Sequence, residues 1–180
     1  TITQPYVCQI HSRRHIEVCA LESGYLQQIL VKEGQVVKKG DLMFKILPTL
    51  YEAKLDAEVA EAQLAELEYN NTRSLAEKNV VSQNEVKLVQ AKLAKAQAKV
   101  KLAKAELDFT NVVAPFDGIV DRLHMQLGSL INEGDVLTTL SDNSVMWVYF
   151  NVPEADYLEY MANRAQHDAD DRIELRLANG

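Results

Sequence analysis

An internal repeat constrains this chain more than any other feature. The stretch "GYLQQILVKEGQVVKKGDLMFKI", residues 24–46, returns without a gap as "GIVDRLHMQLGSLINEGDVLTTL", residues 118–140, a shift of 94 positions from Gly24 to Gly118. Gly34 falls on Gly128, and Gly40-Asp41 on Gly134-Asp135. The apolar positions keep step: Leu26 with Val120, Ile29 with Leu123, Val36-Val37 with Leu130-Ile131, Leu42 with Val136, Ile46 with Leu140. Glycines recurring in register mark backbone points that need positive φ or close approach, read here as the turns of a sandwich. The apolar residues between them alternate as half-buried strands do. Two copies are too few for a solenoid, which needs several stacked repeats. They are expected to form one β-sandwich from residues 21–47 and 112–142, each half covering the apolar face of the other.

The insert between the halves, residues 48–111, has a different texture. Glycine is absent, proline occurs only at Pro48, and Ala, Glu, Lys, Gln and Leu dominate, all good helix formers. Ala53, Ala57, Ala60, Leu64 and Leu67 step by four and three, with Asn71 and Ser74 continuing the rhythm as polar residues. Val86, Val89, Leu93, Ala96, Val100, Ala103 and Leu107 form a second such series, and the two series are expected to face each other as a coiled-coil seam. "EKNVVSQNE" breaks the pattern, and Ser82 followed by Glu85 is a capping box that opens a second helix. Two helices of about 28 residues on so short a connection run antiparallel, as a rod of roughly 42 Å. An Ala-rich seam buries little area per residue. Against a plain structural coiled coil, the preferred reading is a probe stabilised by packing on other helices.

Charge and composition exclude several classes. The formal net charge of −7 argues against nucleic acid as a partner. No apolar run approaches the roughly 20 residues that span a bilayer. The chain opens Thr-Ile-Thr-Gln without a basic-then-apolar leader. Neither a G-x-S-x-G nucleophile turn nor a phosphate-binding glycine loop is present, so no catalytic residues are assigned. Cys8, His11, His15 and Cys19 are zinc-ligand types, but their surroundings alternate like a strand, where residues four apart lie about 13 Å apart. A turn at Ser12-Arg13-Arg14 would be needed to gather them. No metal or cofactor is assigned, and a Cys8–Cys19 disulfide stays open. At the other end, "SVMWVYFNV" reads as a strand, "PEADYLEYMANR" as a short helix with Pro153 at its first position, and "RIELRLANG" as another strand. A sheet stopping there is incomplete, so the chain is expected to be part of a longer one, with residues 1–20 joining residues 143–180.

The repeat resembles the lipoyl/biotinyl carrier fold, whose two quasi-symmetric halves meet at a hairpin displaying a modified lysine. Here that place is Leu50, within "LPTLYEA", and the helical insert replaces the carrier turn. A lipoyl-like sandwich split by a coiled-coil hairpin and followed by a barrel resembles the periplasmic adaptor, or membrane-fusion (HlyD-like), family of tripartite efflux pumps. The strongest parts are "VKEGQVVKKGDLMFKI", "VVAPFDGIVDRL" and "MWVYFNVPEADYLEY", and the last favours the adaptors of RND-type transporters. The resemblance implies an α+β fold. Its parts are a lipoyl-like sandwich (21–47 and 112–142), an antiparallel hairpin (48–111) and part of a β-barrel domain (1–20 and 143–180). It implies a non-enzymatic protein, attached to the inner membrane in the periplasm of a Gram-negative bacterium. Its partners would be an inner-membrane RND transporter, an outer-membrane channel of the TolC type, and copies of itself in a hexameric ring. The family's hairpin tip carries Arg, Leu and Ser spaced four then seven residues, a pattern that docks on the channel. Leu75 and Ser82 match it, and Asn71 stands at the arginine position, with Arg73 two residues on. An adaptor of an ABC-type exporter and a true lipoyl or biotin carrier are the rival readings.

Overall fold

The structure is a computed structural model that describes residues 6–163 and residue 175. Its elements are β1 (Cys8–Cys19), β2 (Gly24–Ile29), β3 (Val36–Val37), β4 (Leu42–Ile46), α1 (Thr49–Glu77), α2 (Gln83–Phe109), β5 (Asn111–Val113), β6 (Gly118–Leu123), β7 (Leu130–Ile131), β8 (Val136–Phe150) and α3 (Glu154–Asn163). They build two four-stranded sheets, β1-β8-β6-β3 and β5-β4-β2-β7. The 94-residue shift carries β2 onto β6, β3 onto β7, β4 onto the start of β8 and the end of β1 onto β5. One sheet is therefore the image of the other.

The hydrogen bonds show this symmetry atom by atom. Gly40 N donates to Ala114 O at 2.8 Å and Ala114 N to Asp41 O at 2.9 Å; in the image, Gly134 N donates to Ala20 O and Ala20 N to Asp135 O, both at 2.9 Å. Gly34 N reaches Val120 O at 2.8 Å, and Gly128 N reaches Leu26 O at 2.9 Å. Each half thus closes on the other reciprocally, as a pseudo-two-fold requires. The turns are made twice by the same chemistry. Gly40 and Gly134 take φ of +90° and +88°, where a side chain is strained. Asp41 and Asp135 each accept the backbone N–H three residues earlier, from Lys38 and Asn132, at 2.8 Å.

The core is shared evenly. Leu26, Val37, Met43, Phe44 and Ile46 meet Val120, Ile131, Leu137 and Leu140, all buried, with Ala20 and Ala114 where the halves cross. Thr138 occupies the place of Phe44 in the second half, and its buried hydroxyl donates to Arg122 O at 3.0 Å. Two of the six repeat glycines are not turn residues as the sequence suggests. Gly24 and Gly118 open strands β2 and β6, paired with Ile131 and Val37. They are glycine because the neighbouring chain leaves no room for a Cβ: at Gly118 one would lie 2.8 Å from Ser141 O.

The chain divides into two compact units, residues 12–145 and a second unit of residues 1–11 with 146–180, the latter described only over residues 6–11, 146–163 and 175. The sequence reading assigns all of residues 1–20 to the barrel. Val18 and Ala20 instead belong to the sandwich core, because the end of β1 is the symmetry mate of β5. Within the second unit, Tyr6 donates to Asp156 at 3.3 Å and lies 5.8 Å from the Phe150 ring, while Tyr149 meets His11 and Trp147 edge-on. Helix α3 begins at Glu154, with Tyr157 N bonded to Pro153 O, so the proline precedes the helix. The strand expected at "RIELRLANG" lies outside the described residues. Among the described residues no helix is long and apolar enough to cross a membrane.

Candidate functional site

The hairpin is the part of the sandwich unit that its own core does not explain. Helix α1 has 29 residues and α2 has 27, so the rod is about 40 Å long. Its base is bolted to the sandwich. Tyr51 donates to Ser23 O at 2.8 Å and Glu22 at 3.2 Å, and Leu47 N donates to Tyr25 O. On the α2 side, buried Thr110 bonds Leu107 O through its hydroxyl and accepts from Ile46 N. A lever fixed at both roots holds its far end in a defined direction.

Along α2 the structure buries Val89, Ala96 and Ala103 and half-buries Val86, Leu93, Val100 and Leu107, the series the sequence singles out. Along α1 it corrects the sequence reading. Ala57 is exposed, and Leu64 and Leu67 are 59% and 61% exposed. The sheltered face of α1 carries Tyr51, Leu55, Glu58, Val59, Ala62, Ala65, Tyr69, Thr72 and Ala76 instead. The two stripes are offset by two residues, which on a helix is 200°, so α1 is apolar on opposite sides. Spacing alone cannot say which side meets α2. Bulk and charge decide it. Tyr51, Leu55 and Tyr69 are larger than the alanines opposite, and ion pairs pin the chosen register. Lys54 meets Glu106 at 2.5 Å, and Lys99 meets both Glu61 oxygens at 3.1 Å. A Glu58 oxygen shielded from solvent lies 3.6 Å from Lys99 Nζ, an ion pair too long to be a hydrogen bond. The hydrogen bond to Glu106 raises the Lys54 pKa, and those to Glu61, with Glu58 nearby, raise that of Lys99.

The tip turns by a Schellman motif. Val80 N bonds Leu75 O and Asn79 N bonds Ala76 O, both at 2.9 Å, and Asn79 adopts φ of +59°. Ser82 then caps α2, accepting from Glu85 N at 3.3 Å. Asn71 and Leu75 lie one helical turn apart and are exposed, as is Ser82. Arg73 is tied to Glu77 at 3.4 Å on the helix surface. Sequence reasoning missed Val80. It follows the left-handed Asn79 and is 66% exposed, beside Leu75 at 41%, so the outermost point of the rod is apolar. The signal was the unexplained pair Val80-Val81 in a polar turn.

The other weighed cluster is not gathered by the fold. Cys8 and Cys19 are free cysteines at the two ends of strand β1. His15 bonds Ser141 Oγ at 2.8 Å, and His11 packs on Tyr149.

With this architecture in view, comparison with known proteins defines its class. Residues 14–143 match the family model of the RND MFP barrel-sandwich hybrid domain. The chain belongs to that family, the membrane-fusion or periplasmic adaptor proteins. It is 28% identical over 202 residues to the efflux pump periplasmic linker BepD of Brucella suis, covering 99% of this chain and 50% of that protein. An uncharacterised protein of Haemophilus influenzae is 32% identical over 136 residues, covering 74% and 35%. Among solved structures, a MacA-MexA chimera containing the Pseudomonas aeruginosa MexA α-hairpin superposes with a TM-score of 0.77 at 27% identity, covering 84% of this chain and 56% of that one. The chain spans half or less of the length of these two curated relatives.

Proposed function

We propose that this chain is the core of the adaptor subunit of a tripartite efflux pump. It bridges an inner-membrane RND-type, proton-driven transporter to an outer-membrane channel of the TolC type. It works in the periplasm as a member of a hexameric ring, and its role in exporting drugs or other toxic amphiphiles is geometric rather than catalytic.

The observation that carries this reading is the second apolar stripe on each helix. On α1 it runs through Leu50, Ala53, Ala57, Ala60, Leu64 and Leu67, all exposed. On α2 it runs through Leu88, Ala91, Ala98, Leu102, Ala105 and Phe109 at the same three-and-four spacing, with Lys95 interrupting, and Leu88, Leu102 and Phe109 are exposed. A helix with two opposed heptad stripes satisfies one inside the hairpin and needs another helix for the second. The outer stripe of α1 fits the outer stripe of α2 on the next copy, and repetition of that step closes a tube of hairpins. The tube ends in a ring of tips bearing Leu75 and Val80, suited to another helical rim. A carrier function has no lysine to work with at Leu50.

Affinity capture of the tagged full-length protein from membranes tests the reading. Recovery of a proton-driven transporter and an outer-membrane channel is expected. An ATPase in the transporter's place would reassign the chain to an ABC exporter, and recovery of neither would overturn the adaptor reading.

A further inference from the structure

The two halves of the sandwich keep the same core and the same turns, yet their exposed margins differ, and in a directed way. Strands β3 and β7 are symmetry mates, and each ends its sheet. They lie on opposite margins of the sandwich. On one, the β3–β4 crossing is bonded to the β5–β6 crossing through Gly40, Asp41 and Ala114; on the other, the β1–β2 crossing is bonded to the β7–β8 crossing through Ala20, Gly134 and Asp135. Each margin therefore offers an open strand edge, which proteins ordinarily cover or charge.

The first margin is apolar and carries lysines. Val36 is 71% exposed, with Lys32, Lys38 and Lys39 close to it in the sequence and exposed. The acids beside them, Glu33, Asp41 and Asp117, accept from Leu123 N, Lys38 N and Lys39 N, so this margin carries charge of both signs. The second margin is apolar and acidic. Leu130 is 58% exposed opposite Tyr25, with Leu127 and Leu21 also exposed. Arginine and lysine are missing from His15 to Val31 and from Leu123 to Ser144, where the acids include Glu22, which accepts from the Tyr51 hydroxyl, Asp135, which accepts from Asn132 N as Asp41 does from Lys38 N, and Glu133. Position by position, the 94-residue shift sets Lys39 against Glu133, Lys32 against Gln126 and Lys38 against Asn132.

We infer that these margins are two sides of one head-to-tail contact. The β3 edge of one copy docks on the β7 edge of the next, Val36 against Leu130 and Leu127, with Lys38 and Lys39 facing Glu133. Opposite charge on pseudo-equivalent edges disfavours β3–β3 and β7–β7 pairing and leaves the heterologous contact, which closes into a ring when the rotation fits. This rests on the ring reading above and adds the surface by which the sandwiches join.

The test is disulfide trapping in the full-length protein in cells, with Cys8→Ser and Cys19→Ser as background. Val36→Cys and Leu130→Cys, placed on separately tagged co-expressed copies, should yield a mixed dimer on mild oxidation. Neither variant expressed alone should cross-link. Lys38→Glu with Lys39→Glu should lower the mixed dimer by about tenfold, and adding Glu133→Lys should restore it. These side chains are exposed, so the variants should fold. Co-expressed Leu64→Cys and Leu102→Cys copies report the hairpin contact independently. A hairpin cross-link without the 36–130 cross-link would overturn the margin contact and leave the ring standing. Homodimers of Val36→Cys alone would overturn it in favour of a symmetric pairing. Absence of both cross-links would remove the ring and this contact together.

Discussion

Gly118 has no room for a methyl group. A Cβ at this position would sit 2.8 Å from the carbonyl oxygen of Ser141 and 3.2 Å from Leu140 Cγ, and a backbone oxygen inside a sheet cannot step aside. Gly118→Ala should therefore cost about 1–3 kcal/mol in urea denaturation of the chain, as overpacking does. Asn79 makes the opposite point, because its constraint is the backbone. At φ of +59° it tolerates glycine, whereas a β-branched residue is strained. Asn79→Gly should leave the melting temperature near wild type, and Asn79→Val should lose about 1–2 kcal/mol, with hydrogen exchange rising first around the tip. The glycine positions were legible from the repeat, since only a backbone reason makes glycine recur at fixed offsets. Which reason applied at each was not. Positive φ at Gly40 and steric closeness at Gly118 leave the same letter in the sequence.

Helix α2 shows how far an element can be read, and α1 shows where reading stops. In α2 one stripe is richer in Val and Leu, and it is the buried one. In α1 the stripe through Leu64 looks the more apolar, yet it faces outward, because Tyr51, Leu55 and Tyr69 supply bulk on the other side and Lys99 reaches across to Glu61. Periodicity reports that a face is apolar, not which partner covers it. Truncation separates the two faces. Leu64→Ala should change the stability of the dilute monomeric chain by less than about 0.5 kcal/mol, the range of surface substitutions. Ala103 is almost fully buried where the helices approach, and Ala103→Leu should destabilise by about 1–3 kcal/mol. Thermal melts of both variants check this. A larger loss with Leu64→Ala than with Ala103→Leu would return Leu64 to the inner seam.

At the scale of the molecule, the gapless repeat was enough to read one sandwich with a hairpin growing from it. The limits of the units were less legible. The sequence reading ends the sandwich half at residue 142 and starts the barrel part at 143, yet β8 runs unbroken from Val136 to Phe150. Asp142 satisfies the local polarity itself, accepting from the Ser144 hydroxyl and backbone N–H, and these bonds lower its pKa. A continuous strand thus contributes residues to both units. In the proposed function, the far end of this rod docks on an outer-membrane channel while the rest of the adaptor serves the transporter. Leu75→Asp places a charge on the exposed tip, away from every core; unpaired in a dry interface, that charge costs several kcal/mol, on the order of a weak contact's whole affinity. The most direct measurement is capture of full-length Leu75→Asp from membranes beside wild type, with a melting curve of each. Unchanged melting and transporter recovery, with the channel lost, are expected of Leu75→Asp. Equal recovery of the channel by wild type and Leu75→Asp would contradict the docking.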